Sequence, residues 1–377
     1  MLTEEQRLVD DAARRYSREV LAPGAAAREK ALAIEPAVFE GLASIGLLGM
    51  TVSPDWDGAG ADYVSYALAL MAVAEGDGAV STVMSVHNAP FCAILERYGS
   101  DAQKADVLRP AARGEFIGAF ALTESQAGSD ASALRTRAVR HGDRYVINGA
   151  KQFITSGKIG RYTIVFAVTD PANPKRGISA FLVPTDTSGY SVSKIEHKLG
   201  QKASDTCSLQ FDDLEVPLGA MIGGEGEGYR IALSSLESGR IGIAAQSVGM
   251  AQSALEAAIR YAGERTSFGK RLVDHQAVSF RLVDAKTRLE AARQLVLSAA
   301  RMKDAGVPCL EQACMAKLFA SETAEAVCSV AIQTFGGYGY VEDFPVERIY
   351  RDVRVCQIYE GTSDIQKIII GRSLSAA

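Results

Sequence analysis

The sequence predicts a three-part architecture in the order α, β, α, and three observations support this fold class. Apolar residues recur at helical spacing from Leu2 to about Arg113. After Glu115, short runs rich in β-branched and aromatic residues alternate with turn residues, and long helical periodicity then returns. We expect an N-terminal α-helical domain over residues 1–117, a middle β domain over 118–226 and a C-terminal four-helix bundle over 227–377.

The first domain is predicted from helical periodicity and proline positions. Apolar residues from Leu8 to Tyr16 lie four apart, and Pro23 is expected to end this run, whereas Pro36 suits the first turn of another helix. Residues 66–84 form the most apolar stretch, but acidic residues interrupt it. This stretch therefore predicts a pair of buried helices and no membrane span.

The second domain is predicted from four strand-like runs, RYVIN, YTIVFAV, ISAFLVP and CSLQF. They indicate a small β-barrel or sandwich over roughly residues 118–222. Asn148 and Gly149 favour a tight hairpin turn between strands. The glycine-rich segment 223–228 lacks the lysine of a phosphate loop, so an interdomain hinge is expected there.

The third domain is predicted from long periodic segments near residues 227–263, 271–304 and 307–335. A last helix should begin near Asp364, because Ser363 and Gln366 have the spacing of a capping box. Glu360 would then lie on the loop that enters this helix. On this stretch alone, a solvated surface acid and a functional carboxylate are both open interpretations.

Composition excludes several function classes. The 377 residues are 47% hydrophobic and 23% charged with a formal net charge of −5, which is globular and gives no basic footprint for nucleic acid. Six cysteines are scattered without a CxxC pair, and four histidines lie far apart without a ligand pattern. We expect reduced thiols, no metal site and, with no visible targeting segment, a cytoplasmic protein.

Three stretches could bind a polar or phosphorylated ligand, and each has a structural alternative. Residues 121–133 carry hydroxyl side chains around Gly128, which suits a polar ring or phosphate but also a turn-rich strand connection. The glycines within 333–352 could equally cap a helix. The cations around Phe268 in 264–272 could hold phosphates or end a helix.

Together, the order and the amino-acid sequences of five segments resemble those of the acyl-CoA dehydrogenase family. ALTESQAGSD, KQFITSG, ERTSFGKRL, QTFGGYGY and IYEGTSDIQ occur with the spacing typical of that family, and the α, β, α outline agrees across essentially the whole chain. The resemblance implies an oxidoreductase that acts on a CH–CH bond with FAD as its cofactor. It implies α,β-dehydrogenation of a short- to medium-chain saturated acyl-CoA to a trans-2-enoyl-CoA.

The resemblance also implies roles for the opening of the last helix. Glu360 corresponds to the base that removes the α-proton of the thioester, while the β-hydrogen leaves as hydride to the flavin N5. The backbone N–H of Glu360, with a flavin ribityl hydroxyl, would stabilise the developing enolate oxygen. Gly361 keeps the slot beside the substrate open.

Cofactor contacts are implied at five places in the chain. Phe153 stands where the family usually has tryptophan, and Asp364 replaces a more usual glutamine or glutamate. The glycine-rich contact is expected to come from a neighbouring subunit. The implied contacts are Phe120, Leu122, Thr123, Gly128 and Ser129; Phe153, Ile154 and Thr155; Arg265, Phe268, His275 and Gln276; Gln333, Gly336 and Gly337; and Thr362 and Asp364.

Substrate contacts are implied at Ser129, Glu237, Arg240 and Gly361. Some branches of the family carry their base just before this arginine, where the present chain has Gly239, so Glu360 has no competitor there. Residues 83–90 and 239–252 are most similar to the short-chain (butyryl-CoA) branch. Ser81 and Thr82 stand where a dicarboxylyl-CoA branch places an arginine.

The resemblance further implies partners and leaves rival functions open. It indicates a homotetramer built as a dimer of dimers, electron-transferring flavoprotein as acceptor and a place in fatty acid β-oxidation. The alternatives are the same chemistry on an acyl-carrier-protein thioester, transfer of electrons to dioxygen, and a non-catalytic flavin-binding assembly protein. Loss of the base would favour the last of these, whereas Glu360 is present.

Overall fold

The fold is described from a computed structural model, which covers residues 2–173 and 175–374. Its elements follow the predicted α, β, α order. Three π-helical turns, at Ser17–Leu21, His87–Cys92 and Lys104–Leu108, connect helices of the first domain. The α-helices of that domain are α1 Glu4–Tyr16, α2 Ala22–Ala31, α3 Pro36–Ser44, α4 Tyr63–Gly76, α5 Gly78–Val86, α6 Ala93–Tyr98, α7 Asp101–Gln103 and α8 Arg109–Ala112.

The middle domain is one mixed sheet. Its order is β6-β7-β3-β2-β4-β5-β8, and β1 pairs with β4 in parallel. The strands are β1 Gly118–Ala121, β2 Arg137–His141, β3 Arg144–Thr155, β4 Tyr162–Val168, β5 Ile178–Pro184, β6 Tyr190–Ile195, β7 Thr206–Pro217 and β8 Met221–Ile222.

The C-terminal domain contains the long helices that periodicity predicts. A two-stranded hairpin of β9 Thr266–Ser267 and β10 Lys270–Arg271 separates the first two. The helices are α9 Gly228–Glu264, α10 Gln276–Asp304, α11 Leu310–Phe335, α12 Pro345–Val353 and α13 Ser363–Leu374. The domain boundaries that the sequence predicts after residues 117 and 226 stay a prediction.

Both faces of the central strands are buried, which explains their uninterrupted apolar sequences. On β4, Ile164 and Phe166 pack into a core shared with helices of the first domain. Val165 and Ala167 point the other way, into a core lined by β3, β5 and β7. The strands therefore enclose a core of their own, and the other face of the sheet packs on helices of the first domain.

The first helical run does not end at Pro23. The π-helical turn Ser17–Leu21 leads directly into α2, where Pro23 occupies one of the first two helical positions. The prediction was wrong because the wider turn interrupts the regular hydrogen bonding just before the proline.

The predicted turn at Asn148 and Gly149 is also wrong. Strands β2 and β3 join through Gly142 and Asp143, and Gly149 lies inside β3 at an irregularity in its pairing with β7. Gly149 has a φ of 147°, and a Cβ there would lie 2.6 Å from Thr136 Oγ1. The glycine therefore serves a strand bulge with a close neighbour, and no turn forms there.

The two helical domains share a single hydrophobic core. Helix α4 is buried on nearly all sides, packs against α9 and α10, and belongs to one core with α11. The two helices α4 and α9 lie close together, because a Cβ placed on Gly249 of α9 would lie 2.1 Å from the carbonyl oxygen of Met71 in α4. The last residue of α10, Asp304, accepts the backbone N–H of Tyr63 at 2.6 Å and so caps α4 from the other domain.

One helical run in the described residues, Gly78–Tyr98, is long and apolar enough to cross a membrane by composition. Within this fold, 89% of that window is buried, as in the core helix of a globular domain. The predicted buried helix pair is confirmed by α4 and α5.

Gly249→Ala should destabilise the protein by about 2 kcal/mol, because the added methyl group has no space beside the Met71 carbonyl. Gly263→Ala, on the same helix, has no atom within 4 Å of its Cβ and should raise stability by about 0.5 kcal/mol through helix propensity. Thermal denaturation at equal cofactor loading measures both changes. Equal midpoints for the two variants would contradict the close α4–α9 crossing.

Candidate active site

Glu360 lies on a short loop between a 3-10 turn, Arg354–Gln357, and the start of α13. Its φ is 55°, and the φ of Gly361 is 90°. A non-glycine residue in this left-handed region costs on the order of 1 kcal/mol, so contacts from elsewhere must hold the conformation. The turn directs the Glu360 carboxylate against α9, where it lies beside Gly239.

The helix after this loop begins at Ser363, one residue before its expected start, but its cap differs from the prediction. Thr362 Oγ1 accepts the backbone N–H three residues later, at 3.3 Å. The predicted capping box was wrong, because the buried Gln366 amide donates to the carbonyls of Gly361 and Glu360, at 2.7 and 3.3 Å. Gln366 therefore braces the turn that carries the carboxylate.

The Glu360 carboxylate occupies an enclosed environment. Its Oε2 atom is inaccessible to solvent and has no hydrogen-bond partner among the described residues. Burial raises the pKa of Glu360 above its ordinary value, and the positive charges of Arg240 and Lys317 oppose that rise. Such a carboxylate is poised to take up a proton from a ligand that enters the same space.

Gly239 has a steric reason to lack a side chain. A Cβ at this position would lie 2.7 Å from Oε2 and 3.0 Å from Cδ of Glu360. The space beside Gly239 is therefore already used by the Glu360 carboxylate. A side chain at position 239 and the present position of Glu360 exclude one another.

The residue before Glu360 joins all three domains. The Tyr359 hydroxyl donates to Gln246 Oε1 at 3.1 Å and lies 3.5 Å from Thr82 Oγ1 and from Gln201 Nε2. Burial raises the pKa of Tyr359 well above its ordinary value, so the hydroxyl stays protonated. This hydroxyl fixes the loop against α5, the β domain and α9 together.

The four predicted substrate residues do not form one cluster of mutual contacts. Arg240 is buried near Glu360, and its Nε has no hydrogen-bond partner among the described residues. Glu237 instead pairs with Lys303 of α10 at 2.7 Å. Gly361 lies beside Glu360 with its carbonyl held by Gln366, and Ser129 is exposed on the loop after β1.

A buried ion pair joins two of the predicted cofactor segments. Lys151 Nζ donates to Glu124 Oε1 at 2.8 Å and to the carbonyl of Leu122 at 3.0 Å. Glu124 also accepts the backbone N–H groups of Arg135 and Thr136, at 2.7 and 3.1 Å. Burial lowers the pKa of Lys151, yet the pair remains ionised because each charge compensates the other.

This ion pair places residues 120–129 beside residues 153–155. Gln152 N–H donates to the Thr123 carbonyl at 2.9 Å, and Phe153 follows with a φ of 60° at an irregularity of β3. The irregularity leaves Phe153 58% exposed although it lies within a strand. The remaining predicted contacts are Phe120, half-buried against Phe166; Leu122 and Ile154, buried; Thr123 and Thr155, half-buried; and Gly128 and Ser129, exposed.

A second group of predicted cofactor residues lies around a cavity of about 720 Å³. This cavity lies between the β9–β10 hairpin, which joins α9 to α10, and the end of α11. Arg265, Gly336 and Gly337 line it. Phe268 is 96% exposed with a φ of 48°, an unusual position for a large apolar side chain. Of the others, His275 contacts the Ser267 carbonyl at 3.0 Å, Gln276 and Gln333 are exposed, Thr362 caps α13, and Asp364 is exposed.

These features fit the FAD that the family resemblance implies. Exposed apolar Phe153 and Phe268 offer flat surfaces for rings, while Arg265 offers a cation for a diphosphate. A Cβ added to Gly128, Gly336 or Gly337 would meet no atom within 4 Å, so these positions are open for a ligand to approach the backbone closely. Among the described residues, no hydrogen bond or ring contact joins the Phe153 group to the Phe268 group.

Sequence reasoning missed the roles of four residues that hold these segments in place. Lys151, Glu124, Lys317 and Gln366 are all buried. The available signal was a single charge on an otherwise apolar face, as for Lys317 among the buried Ala313, Cys314 and Ala320 of α11. Such a signal identifies a buried charge but does not reveal its partner.

Comparisons with known proteins match nearly the whole chain to one family. The acyl-CoA dehydrogenase N-terminal, middle and C-terminal domain families match residues 3–115, 119–214 and 226–375. An acyl-CoA dehydrogenase of Bacillus subtilis (strain 168) is 43% identical over 373 residues, covering 99% of this chain and 98% of that protein. A short-chain specific acyl-CoA dehydrogenase of Clostridium acetobutylicum is 41% identical over 369 residues, covering 98% and 97%. The solved structure of butyryl-CoA dehydrogenase from Megasphaera elsdenii matches with a TM-score of 0.97 at 39% identity, covering 100% of this chain and 99% of that one.

Lys151→Met should destabilise the β domain by about 3 kcal/mol and lower the FAD content of the purified protein, because Glu124 would be left buried without its counter-charge. The double variant Lys151→Met/Glu124→Gln should recover part of the loss, since a neutral amide costs less to bury. Lys194→Met, which removes an exposed lysine paired with Glu196, should change stability by less than about 0.5 kcal/mol. Thermal denaturation and flavin absorbance measure these effects, and equal stability of Lys151→Met and Lys194→Met would refute the role of the buried pair.

Proposed function

This chain belongs to the acyl-CoA dehydrogenase family, and from that premise we propose how its residues carry out FAD-dependent dehydrogenation of an acyl-CoA. Glu360 is the base that removes the α-proton of the thioester. The observation that carries this assignment is its enclosed Oε2, which has no partner among the described residues and faces the space beside Gly239. A base with a raised pKa can hold the proton it takes from carbon.

The backbone at Glu360 supplies the second function that proton removal needs. An α-proton is weakly acidic unless negative charge on the thioester oxygen is stabilised. Among the described residues, the Glu360 N–H donates no hydrogen bond, so it is available to the thioester oxygen. The left-handed turn at Glu360 and Gly361 thus presents a base and a donor from one residue.

FAD, when bound, accepts the hydride that leaves the β-carbon. The residues that would hold it are those assigned from the family resemblance, with Phe153 and Phe268 offering flat surfaces to its rings and Arg265 a cation to its diphosphate. The exposure of both aromatic side chains and the open backbone at Gly336 and Gly337 support this assignment. Contacts at Gln333, Gly336 and Gly337 are proposed to serve the cofactor of a neighbouring subunit.

The substrate is proposed to be a short- to medium-chain saturated acyl-CoA. The similarity to proteins named as short-chain specific and butyryl-CoA dehydrogenases supports a short acyl group. The buried hydroxyls of Ser81 and Thr82 accept hydrogen bonds from Gln246 at 2.9 and 3.2 Å. They offer no cation to the distal carboxylate of a dicarboxylyl-CoA, which favours an uncharged acyl end.

The wider setting follows from the same premise. We propose a homotetramer built as a dimer of dimers, electron-transferring flavoprotein as the electron acceptor, and a role in β-oxidation. All six cysteines are free and buried, which supports the cytoplasmic location expected from the sequence.

Glu360→Gln should retain FAD and acyl-CoA binding but lower the rate of flavin reduction by about 10³-fold or more, because the amide cannot accept the α-proton. The measurement is anaerobic bleaching of flavin absorbance with saturated acyl-CoAs from butyryl-CoA to palmitoyl-CoA and with branched isobutyryl- and isovaleryl-CoA. We expect the fastest bleaching of the wild type with a short member.

Glu215→Gln, an exposed carboxylate on β7, is the matched control and should leave bleaching unchanged. Near-normal bleaching by Glu360→Gln would contradict the base assignment. Flavin that no acyl-CoA bleaches in the wild type would point to an acyl-carrier-protein thioester, and absence of bound flavin would point to an assembly protein.

Arg265→Ala should lower FAD retention and tetramer stability together, because its guanidinium lines the proposed diphosphate site. Arg230→Ala is the control, since Arg230 is exposed, lies outside this segment and pairs with Glu227 at 2.7 Å. Flavin content after gel filtration and the mass of the eluted species measure the two effects. Unchanged flavin content in Arg265→Ala would remove it from the proposed site.

A further inference from the structure

A fully buried lysine lies behind the Glu360 loop and has no place in the reaction described above. Lys317, on α11, is inaccessible to solvent, and its Nζ donates to the Gly361 carbonyl at 2.7 Å. Burial lowers the pKa of Lys317 to about 8, so it is largely protonated at neutral pH. An ammonium group is costly to bury unless charges or hydrogen bonds compensate it.

The Gly361 carbonyl is held from two directions. Lys317 Nζ and Gln366 Nε2 both donate to it at 2.7 Å, which fills the two acceptor positions of one carbonyl oxygen. Glu360 and Gly361 both have positive φ. Two donors on the Gly361 carbonyl restrain this peptide from rotating, and they therefore hold the turn that carries the Glu360 side chain.

The charge on Lys317 also acts on Glu360 directly. The charged and titratable groups around the carboxylate are Lys317 from α11, Arg240 from α9 and Tyr66 from α4, with Cys314 and Cys356 beside the lysine. Only the two cations favour the ionised carboxylate, and both lower its pKa against the effect of burial. A base must be ionised before it can accept a proton, so these cations set the lowest pH at which Glu360 works.

We propose that Lys317 is a positioning residue for the reaction, which holds the Gly361 carbonyl and places beside Glu360 a positive charge that favours the ionised carboxylate. This inference rests on the proposed role of Glu360 as the base. Lys317 itself touches neither substrate nor cofactor in the proposed mechanism. Its ammonium provides in one group what Gln366 provides only in part, since the glutamine holds the same carbonyl without a charge.

The test separates the charge from the hydrogen bond. Lys317→Met removes both, whereas Gln366→Leu removes the other donor to the same carbonyl and leaves the charge. The measurement is the pH profile of kcat/KM for butyryl-CoA, whose acid limb reports the pKa of the base in the free enzyme. Activity falls as the pH drops through that pKa, because the carboxylate becomes protonated.

We expect the acid limb of Lys317→Met to move to higher pH by about one unit, since loss of an opposite charge raises a carboxyl pKa. Gln366→Leu should lower kcat and leave the limb in place. FAD content and thermal midpoint are recorded for each variant. If Lys317→Met does not yield holoenzyme, Lys317→Gln keeps a donor, removes the charge and should shift the limb in the same direction.

An unmoved acid limb in a flavin-loaded Lys317→Met or Lys317→Gln would overturn the inference. An equal shift of the acid limb in Gln366→Leu would also overturn it, because the effect would then come from loop geometry and not from charge. Glu360→Gln, run in parallel, keeps the two claims apart. Normal turnover in that variant refutes the base itself. An inactive Glu360→Gln with an unmoved limb in the Lys317 variants refutes only the role of Lys317.

Discussion

The burial of one carboxylate is the constraint on which the rest of this structure depends. An ionised group loses favourable hydration when it is removed from water, and Glu360 has an oxygen that no described donor satisfies. Two buried cations, Arg240 and Lys317, offset that loss without forming a close pair that would occupy the carboxylate. Gly239 leaves the space into which the carboxylate fits. The two cations thus favour the ionised carboxylate, while its Oε2 keeps no hydrogen-bond partner among the described residues.

Two buried lysines, in different domains, each hold the backbone of a loop. Lys151 extends from β3 to the Leu122 carbonyl, and Lys317 extends from α11 to the Gly361 carbonyl. Each lies on a regular element and donates to a carbonyl of an irregular segment, the one after β1 for Lys151 and the Glu360 loop for Lys317. A long stem with a charged end can reach a loop carbonyl that backbone hydrogen bonding leaves open. The loops therefore gain rigidity from the scaffold and need little regular structure of their own.

The position of the Glu360 loop also depends on packing between domains that are far apart in the sequence. Helix α4 from the first domain lies in one core with α9 to α11, and Asp304 caps it from the end of α10. The Tyr359 hydroxyl then contacts residues of all three domains. A change in the contact between any two domains would move the residue next to Glu360. This explains why so much of the helical interior consists of small residues that permit close helix approach.

The sequence by itself determined the helices, the strands and the presence of Glu360 on the loop before the last helix, because hydrophobic period and breakers act over a few residues. The order of five segments also identified the family. The same local reasoning failed at Pro23, at Asn148 with Gly149, and at the Ser363 capping box, where a neighbouring turn, strand or carbonyl decided the outcome. Only the tertiary structure placed Lys151 beside Glu124 and Lys317 beside Gly361. Their partners lie 27 and 44 residues away, and contacts at that separation depend on how the elements pack, which no local pattern encodes.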